Sequence, residues 1–439
     1  MAQNNTVQAT PFWYNLALAC IKPLYRWKIK QRAESDILFQ QECMERFGPF
    51  QTPKNLNAIW FHAVSVGETN AVQPLIEHYL KQGHPVLVTN TTKTGQARAK
   101  SLFLKAPYQD LFQAVYLPVD QKPLLKRFFD LYQPKLLALV ETEIWPNLIE
   151  QAQHQRVPCI LLNARLSERS AKGYGKVRRL TQPMLQQLTW MLAQDMATQQ
   201  RYIDLGLDQN KTQVVGNIKF DISAPQFYVQ QAEKLKQDWQ LQHRQIMVLA
   251  STHAPEEENL LKQLQSHLNS NPDLLCIVVP RHPERFDEVF QLCQKLNLKT
   301  QRRSLQQSIQ ADTQVFLADS MGEMWLWYAL SHACFVGGSL NEPGGGHNIL
   351  EPMILNVPTV IGPRYFNFQS IVDEFVTEQG ILIGDDAAQV VQHLLMCLQH
   401  PEQIQQLLQQ AQQVLQRNQG SLQRHIQLID HYLKPVDAS

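Results

Sequence analysis

Two successive doubly wound parallel α/β sheets are predicted for this chain of 439 residues, on three observations. Short apolar runs alternate with longer helical stretches from about Asn57 onward. The runs are near-continuous in Val, Ile and Leu, as strands buried on both faces require. The alternation pauses once, in a polar Gln-rich stretch to about Arg244, and then restarts. Such a length exceeds one hydrophobic core and suits at least two domains.

In the first half the expected strands are Ala58–Ser65, Pro85–Asn90, Ala114–Pro118, Lys135–Glu141, Pro158–Asn163, Thr189–Ala193 and Thr212–Gly216. In the second they are Ile246–Ser251, Leu274–Val279, Gln314–Ala318, Ala333–Gly337, Val357–Ile361 and Gly380–Gly384. This sets a first domain over 51–220, a linker over 221–245 and a second domain over 246–439. A Gln- and Leu-rich helical tail runs from His393, and the chain has no internal repeat. Ligands of open parallel sheets bind beyond the carboxyl ends of the strands, so the residues that follow those ends are the candidates for a site.

The hydrophobic fraction of 44% and charged fraction of 18% are those of an ordinary globular protein. Lys+Arg minus Asp+Glu is 40 − 39 = +1, so no global field draws in polyanions and nucleic-acid binding is not expected. The seven cysteines show no CxxC spacing, and several sit inside apolar runs. They are expected to be reduced core residues.

Residues 1–50 stand apart. An apolar, aromatic-bearing run from Pro11 to Ile21 is followed by Lys22, Arg26, Lys28, Lys30 and Arg32 with no acid among them. The run is shorter than the ~20 residues needed to span a bilayer, and its basic flank lies on the wrong side for a secretory signal. The expectation is a helix lying on an anionic membrane surface, with Trp13, Tyr14 and Trp27 at headgroup depth. A helix docked on the protein's own core is the other reading.

Several segments follow strand ends. Ser65-Val66-Gly67-Glu68 turns a buried strand into a helix, and Glu68 suits either a general base or a helix-dipole acid. Glu141-Thr142-Glu143 follows another strand, and period-2 geometry puts both acids on one face if the strand continues. Lys219, in Gly216-Asn217-Ile218-Lys219-Phe220-Asp221, stands where the first domain ends. In the second half Ser251-Thr252-His253 precedes an acidic helix start, and Arg281 is placed to pair with a phosphate. Met321-Gly322-Glu323 opens a helix after a strand. Gly337-Gly338-Ser339 and Gly344-Gly345-Gly346 let backbone approach a phosphate closely. Asn348 and Glu351, three apart on one helix face, suit ribose hydroxyls. No Asp-x-Asp occurs, which argues against a metal-held nucleotide diphosphate, and neither metal nor cofactor is expected.

In this order along Trp60 to Asn367, Ser65-Val66-Gly67-Glu68, Glu141-Thr142-Glu143-Ile144-Trp145-Pro146-Asn147, Asn163-Ala164-Arg165-Leu166-Ser167, Gly216-Asn217-Ile218-Lys219-Phe220-Asp221, Pro280-Arg281-His282-Pro283-Glu284-Arg285 and His347-Asn348-Ile349-Leu350-Glu351 closely resemble the bacterial 3-deoxy-D-manno-octulosonate (Kdo) transferases of lipid A assembly. The resemblance implies two Rossmann-like domains facing a cleft, the GT-B arrangement of glycosyltransferases. It implies CMP-Kdo as donor, a lipid A precursor as acceptor, and work at the cytoplasmic face of the inner membrane. By motif, Glu68 resembles the proton acceptor, and Glu141 and Lys219 the transition-state stabilisers. Pro280 and Arg281, Met321 to Glu323, and Asn348, Ile349, Leu350 and Glu351 resemble the CMP-binding segments. A UDP-sugar transferase or epimerase of the same two-domain fold is the alternative enzyme reading, and a membrane-docked nucleotide-sugar binder is the non-enzyme one. The glycine loop Asn341-Glu342-Pro343-Gly344-Gly345-Gly346 departs from the family by its length or glycine content.

Overall fold

The computed structural model describes residues 9–33 and 37–434. The outer ends of the expected first and last segments, 1–8 and 435–439, lie outside the described residues, as does the side chain of Arg32. Among the described residues the strands form two seven-stranded sheets, parallel throughout. The first sheet contains β1 (Ile59–His62), β2 (Val86–Asn90), β3 (Phe112–Tyr116), β4 (Leu136–Val140), β5 (Cys159–Ala164), β6 (Trp190–Ala193) and β7 (Thr212–Val214). Its spatial order is β3-β2-β1-β4-β5-β6-β7. The second contains β8 (Gln245–Thr252), β9 (Leu274–Pro280), β10 (Thr300–Arg302), β11 (Val315–Leu317), β12 (Ala333–Val336), β13 (Thr359–Ile361) and β14 (Leu382–Ile383). Its order is β10-β11-β9-β8-β12-β13-β14.

The apolar runs form central strands because both faces are covered. Ile59 and Phe61 enter one core with Leu136, Ala138 and Val140, while Trp60 enters the opposite one with Leu137 and Leu139. Each such side chain contributes ~1.5–3 kcal/mol on burial. In both sheets the chain reverses direction of travel beside its first strand: β1 lies between β2 and β4, and β8 between β9 and β12. These are the topological switch points, where the carboxyl ends of adjacent strands splay apart.

The expected strands form, with bounds moved by a few residues, and one more appears. β10 is the polar segment Thr-Gln-Arg on the sheet edge, half-buried, and so carries no apolar run. The domain boundaries differ from expectation. The chain divides into Met1–Asp221 with Asn418–Ser439, and Ile222–Arg417. The expected linker holds the helix Gln226–Asp238, which belongs to the second unit: Tyr228 donates to the Gly322 carbonyl at 2.9 Å, and Trp239 packs on Phe316. The tail is also split. Helix Pro401–Asn418 stays with the second unit up to Arg417, whereas helix Ser421–Leu433 packs on the first, where Ile426 and Ile429 are buried.

Two N-terminal helices, Phe12–Ala33 and Ile37–Phe47, belong to the first unit. The first helix is docked on the protein's own core along one face. Ile29 packs with Phe47 and Leu124, and Tyr14 donates to the buried Asp120 carboxylate at 2.8 Å. Tyr14 is therefore on the docked face, contrary to the expectation that put it beside Trp13 in the membrane surface. Trp13, Leu16, Cys20, Leu24 and Trp27, at helical spacing, form the opposite face and are exposed. No helix of the described residues is long and apolar enough to cross a membrane. Cys159, Cys276, Cys293, Cys334 and Cys397 are free and buried; Cys20 is exposed.

Candidate active site

Three of the expected catalytic residues lie in the first unit. β1 ends at His62, and helix Val66–Lys81 begins four residues later with Ser65 as its cap. Glu68 is in the first turn of that helix. Its backbone N–H donates to Ser65 Oγ at 3.3 Å, Ser65 Oγ donates to Glu68 Oε1 at 2.9 Å, and Val64 N–H donates to Oε2 at 2.7 Å. The same carboxylate thus caps the turn and keeps lone pairs to spare. Burial lifts its pKa to about 7; the Val64 N–H opposes this, and the negative charges of Glu143 and Glu141 add to it.

Glu141 follows β4 directly, but the strand does not continue. Glu141 has φ +57°, so the expected pairing of Glu141 and Glu143 on one strand face fails. Instead Glu141 reaches Lys219, whose Nζ donates to Oε1 at 2.9 Å in a half-buried ion pair. Glu143 lies in the turn after β4, accepts Trp145 Nε1–H at 3.1 Å, and is pushed above the usual carboxylate range by burial. Lys219 sits on the short 3-10 turn Ile218–Phe220, capped by the Asn217 side chain, which accepts the Lys219 N–H at 3.1 Å.

The second unit gathers most of the expected nucleotide-binding residues around one cavity of about 260 Å³. Ser251, Pro280 and Arg281 stand on one side; Met321, Gly322 and Glu323, with Asn348 and Glu351, complete it. Arg281 is exposed, and among the described residues it has no carboxylate partner. Glu323 is not a free acceptor: Arg303 grips it with two hydrogen bonds of 3.1 and 2.7 Å, and Ser320 donates to it. Burial would raise its pKa, but these partners outweigh it and hold the carboxyl below its ordinary value. Asn348 lies before the helix rather than on it. Helix Leu350–Ile354 is short, the Asn348 side chain accepts Leu350 N–H at 3.1 Å, and its amide donates to Glu351 at 3.3 Å. Burial raises the Glu351 pKa. Ile349 and Leu350 turn into the core, 1% and 2% exposed, and so act on a ligand only through their backbone.

The expected phosphate loop needs correction. Gly338, Ser339 and Leu340 do present converging N–H groups, but they donate to the carboxylate of Glu256 at 2.8, 3.0 and 2.8 Å. His253 N–H donates to the same group at 2.9 Å. A Cβ on Gly337 would lie 2.7 Å from Glu256 Oε2, so the glycine makes room for this internal anion. Of the four residues expected to hold phosphate, only Ser251 faces the cavity, with φ +52°. Sequence reasoning missed Glu256, although an acid in the first turn after a strand end is the signal that drew attention to Glu68. It also missed His347, which lines the cavity, and its stacked partner His253, their Nε2 atoms 2.8 Å apart. Burial pulls the His347 pKa down to about 4, so that ring is uncharged near neutral pH, and burial lowers the pKa of His253 as well.

Three comparisons bear on identity. Residues 41–222 match the family model described as 3-deoxy-D-manno-octulosonic-acid transferase (kdotransferase). The 3-deoxy-D-manno-octulosonic acid transferase of Haemophilus influenzae is 37% identical over 402 residues, covering 90% of this chain and 92% of its own. The solved C-terminal CMP-Kdo binding domain of WaaA from Acinetobacter baumannii is 66% identical over 44% of this chain and all of that domain, with a TM-score of 0.43. The UDP-GlcNAc 2-epimerase of Neisseria meningitidis, 12% identical with a TM-score of 0.51, covers 86% of this chain and 99% of its own, a likeness of fold alone. The two parallel-sheet α/β domains are accordingly of the GT-B type. With a relative this similar along 90% of its length, the chain belongs to the Kdo transferases and is a glycosyltransferase.

Proposed function

We propose that the enzyme moves Kdo from CMP-Kdo to a lipid A precursor by a single inverting displacement, in lipopolysaccharide assembly. Glu68 takes the proton from a primary glucosamine hydroxyl as that oxygen attacks the anomeric carbon. The bond from that carbon to the phosphate oxygen breaks, and CMP departs with the electron pair. Arg281 meets the phosphate, and Ser251, Asn348 and Glu351 hold the nucleotide. Lys219 and Glu141 stabilise the charge that develops in the transition state. Because CMP carries one phosphate, no divalent ion is needed to neutralise a pyrophosphate, and turnover is expected to survive chelation by EDTA.

The observation that carries the reading is Glu68 itself: a carboxyl near pKa 7 takes a proton far better at neutral pH than an ordinary one. The N-terminal helix is assigned to the cytoplasmic surface of the inner membrane. Its exposed face of Trp13, Leu16, Leu24 and Trp27, with Lys28 and Lys30 exposed on the same helix, supports this. The test is incubation of purified protein with CMP-Kdo and a tetra-acylated lipid A precursor, read by lipid mass. Addition of one or more Kdo masses is the expected result. No addition, with CMP release also absent, rejects the proposal; competition by UDP but not CMP then points to a UDP-sugar donor.

A further inference from the structure

Lys219 and Glu141 come from distant parts of the first unit, and two adjacent residues near the end of β5, Leu162 and Asn163, tie them. Asn163, the next-to-last residue of β5, has φ +49°. Its side-chain oxygen accepts Ile218 N–H at 3.1 Å, which anchors the turn that carries Lys219. Its neighbour Leu162 accepts the Glu141 N–H at 2.9 Å. The Asn163 carbonyl accepts from Gln194 Nε2 at 2.9 Å. Its own N–H donates to Nε2 of His425, at 3.0 Å, on the helix Ser421–Leu433.

His425 is fully buried, and its protonation is dictated by what surrounds it. Nδ1 lies 2.7 Å from the Ser421 carbonyl, which can only accept, so Nδ1 carries the proton and Nε2 is a bare acceptor. The start of the same helix clamps the lysine segment. The Asp221 carboxylate accepts the Gly420 N–H at 2.7 Å and the Leu422 N–H, Ser421 Oγ donates to the Gly216 carbonyl at 2.9 Å, and Arg424 donates to the Val215 carbonyl at 2.7 Å. The only described helix that the chain returns to this unit from beyond residue 417 is thus bonded to both ends of Gly216–Asp221 and, through Asn163, to its middle.

We infer that His425 is a positioning residue for the transfer: through Asn163 it fixes the backbone from which Lys219 meets Glu141. The inference rests on the role given above to Lys219 and Glu141. His425 touches no substrate, so its removal affects turnover and leaves substrate affinity alone. Displacements of this kind, remote from the chemistry, cost up to roughly 100-fold in rate.

The test is a set of variants assayed for kcat, both KM values, CMP affinity and thermal melting. His425→Leu is expected to lower kcat roughly 10- to 100-fold with KM values and CMP affinity near wild type. His425→Gln, whose amide oxygen falls near the Nε2 position, is expected to regain most of that loss. If His425→Leu does not fold, His425→Asn, which lacks an acceptor at Nε2, replaces it. In the double variant with Lys219→Ala, the loss is expected to be no greater than in Lys219→Ala alone, since His425 acts through that lysine. Equal losses in the Leu and Gln variants, or an unchanged kcat in both, overturn the inference. So do losses that multiply in the double variant, which would mark a general structural role while leaving Lys219 in place. A Lys219→Ala enzyme of normal kcat overturns the assignment of Lys219 first, and the inference with it.

Discussion

Glu68 and Glu256 occupy the same topological place in their respective units. Each lies in the first turn of the helix that follows the switch-point strand, β1 in one and β8 in the other. Their surroundings differ. Among the described residues, Glu68 accepts only from its own turn, from Val64 and Ser65. Glu256 accepts four backbone N–H groups, three of them from the loop that follows the neighbouring strand β12. A saturated carboxylate has no lone pair left for a substrate proton and works as a rivet between two strand ends. A carboxylate with spare acceptor capacity, lifted by burial to about 7, is equipped for proton transfer. Position in the fold supplies the acid, and the partners decide what the acid does.

The largest expected effect that sharpens this contrast falls on Glu256. Glu256→Ala leaves four N–H groups facing an apolar gap, and at about 1–3 kcal/mol for each unpaired buried group it destabilises the second unit by more than about 3 kcal/mol. Denaturant unfolding followed by Trp fluorescence measures it; a loss under 1 kcal/mol, on the order of a single hydrogen bond, breaks the comparison. Next, Arg281→Ala removes a guanidinium from the cavity proposed for the donor, and CMP affinity by calorimetry is expected to fall roughly 10- to 100-fold. The melting temperature should hold, because Arg281 is exposed and unpaired with any described carboxylate.

Acidity gives the third prediction. A base works only when deprotonated, so kcat/KM is expected to rise about tenfold per pH unit below about 7 and level off above it. The sign for stability runs the other way. The folded state binds the Glu68 proton more tightly than the unfolded one, so the carboxyl costs nothing below the ordinary carboxylate range. It costs progressively more as pH rises through about 7. Glu68→Gln is therefore expected to melt higher than wild type at pH 8, with the gap closing by pH 4. The smallest effect concerns the membrane: Leu24→Ser with Trp27→Ser should lower partition onto anionic vesicles by about tenfold, leaving turnover on a detergent-dispersed acceptor intact.

Much of this arrangement was legible in the chain. Runs such as Leu136–Val140 and Leu274–Val279 announce strands buried on both faces, and the strand ends pointed to Glu68, Glu141, Arg281 and Asn348. β10 escaped because an edge strand needs no apolar run. The return of helix Ser421–Leu433 to the first unit also escaped. Its amphipathic pattern says that it docks, while the bonds to Asn163 and Gly216 that say where are visible only in three dimensions. Gly337-Gly338-Ser339 led to the expectation of a phosphate, because glycine spacing does not distinguish a ligand phosphate from a glutamate of the same chain. The Glu141–Lys219 pair links residues that no local pattern connects.

The most direct measurement is single-turnover transfer by Glu68→Gln from CMP-Kdo to the lipid A precursor, with CMP affinity measured on the same protein. Gln keeps an oxygen for the Val64 N–H, and its NH2 can donate to the Ser65 hydroxyl, so the turn is preserved while the base is lost. The account predicts transfer slowed by about 10²- to 10⁴-fold with CMP affinity unchanged. Transfer at near wild-type rate would contradict it and move the proton acceptor to another residue.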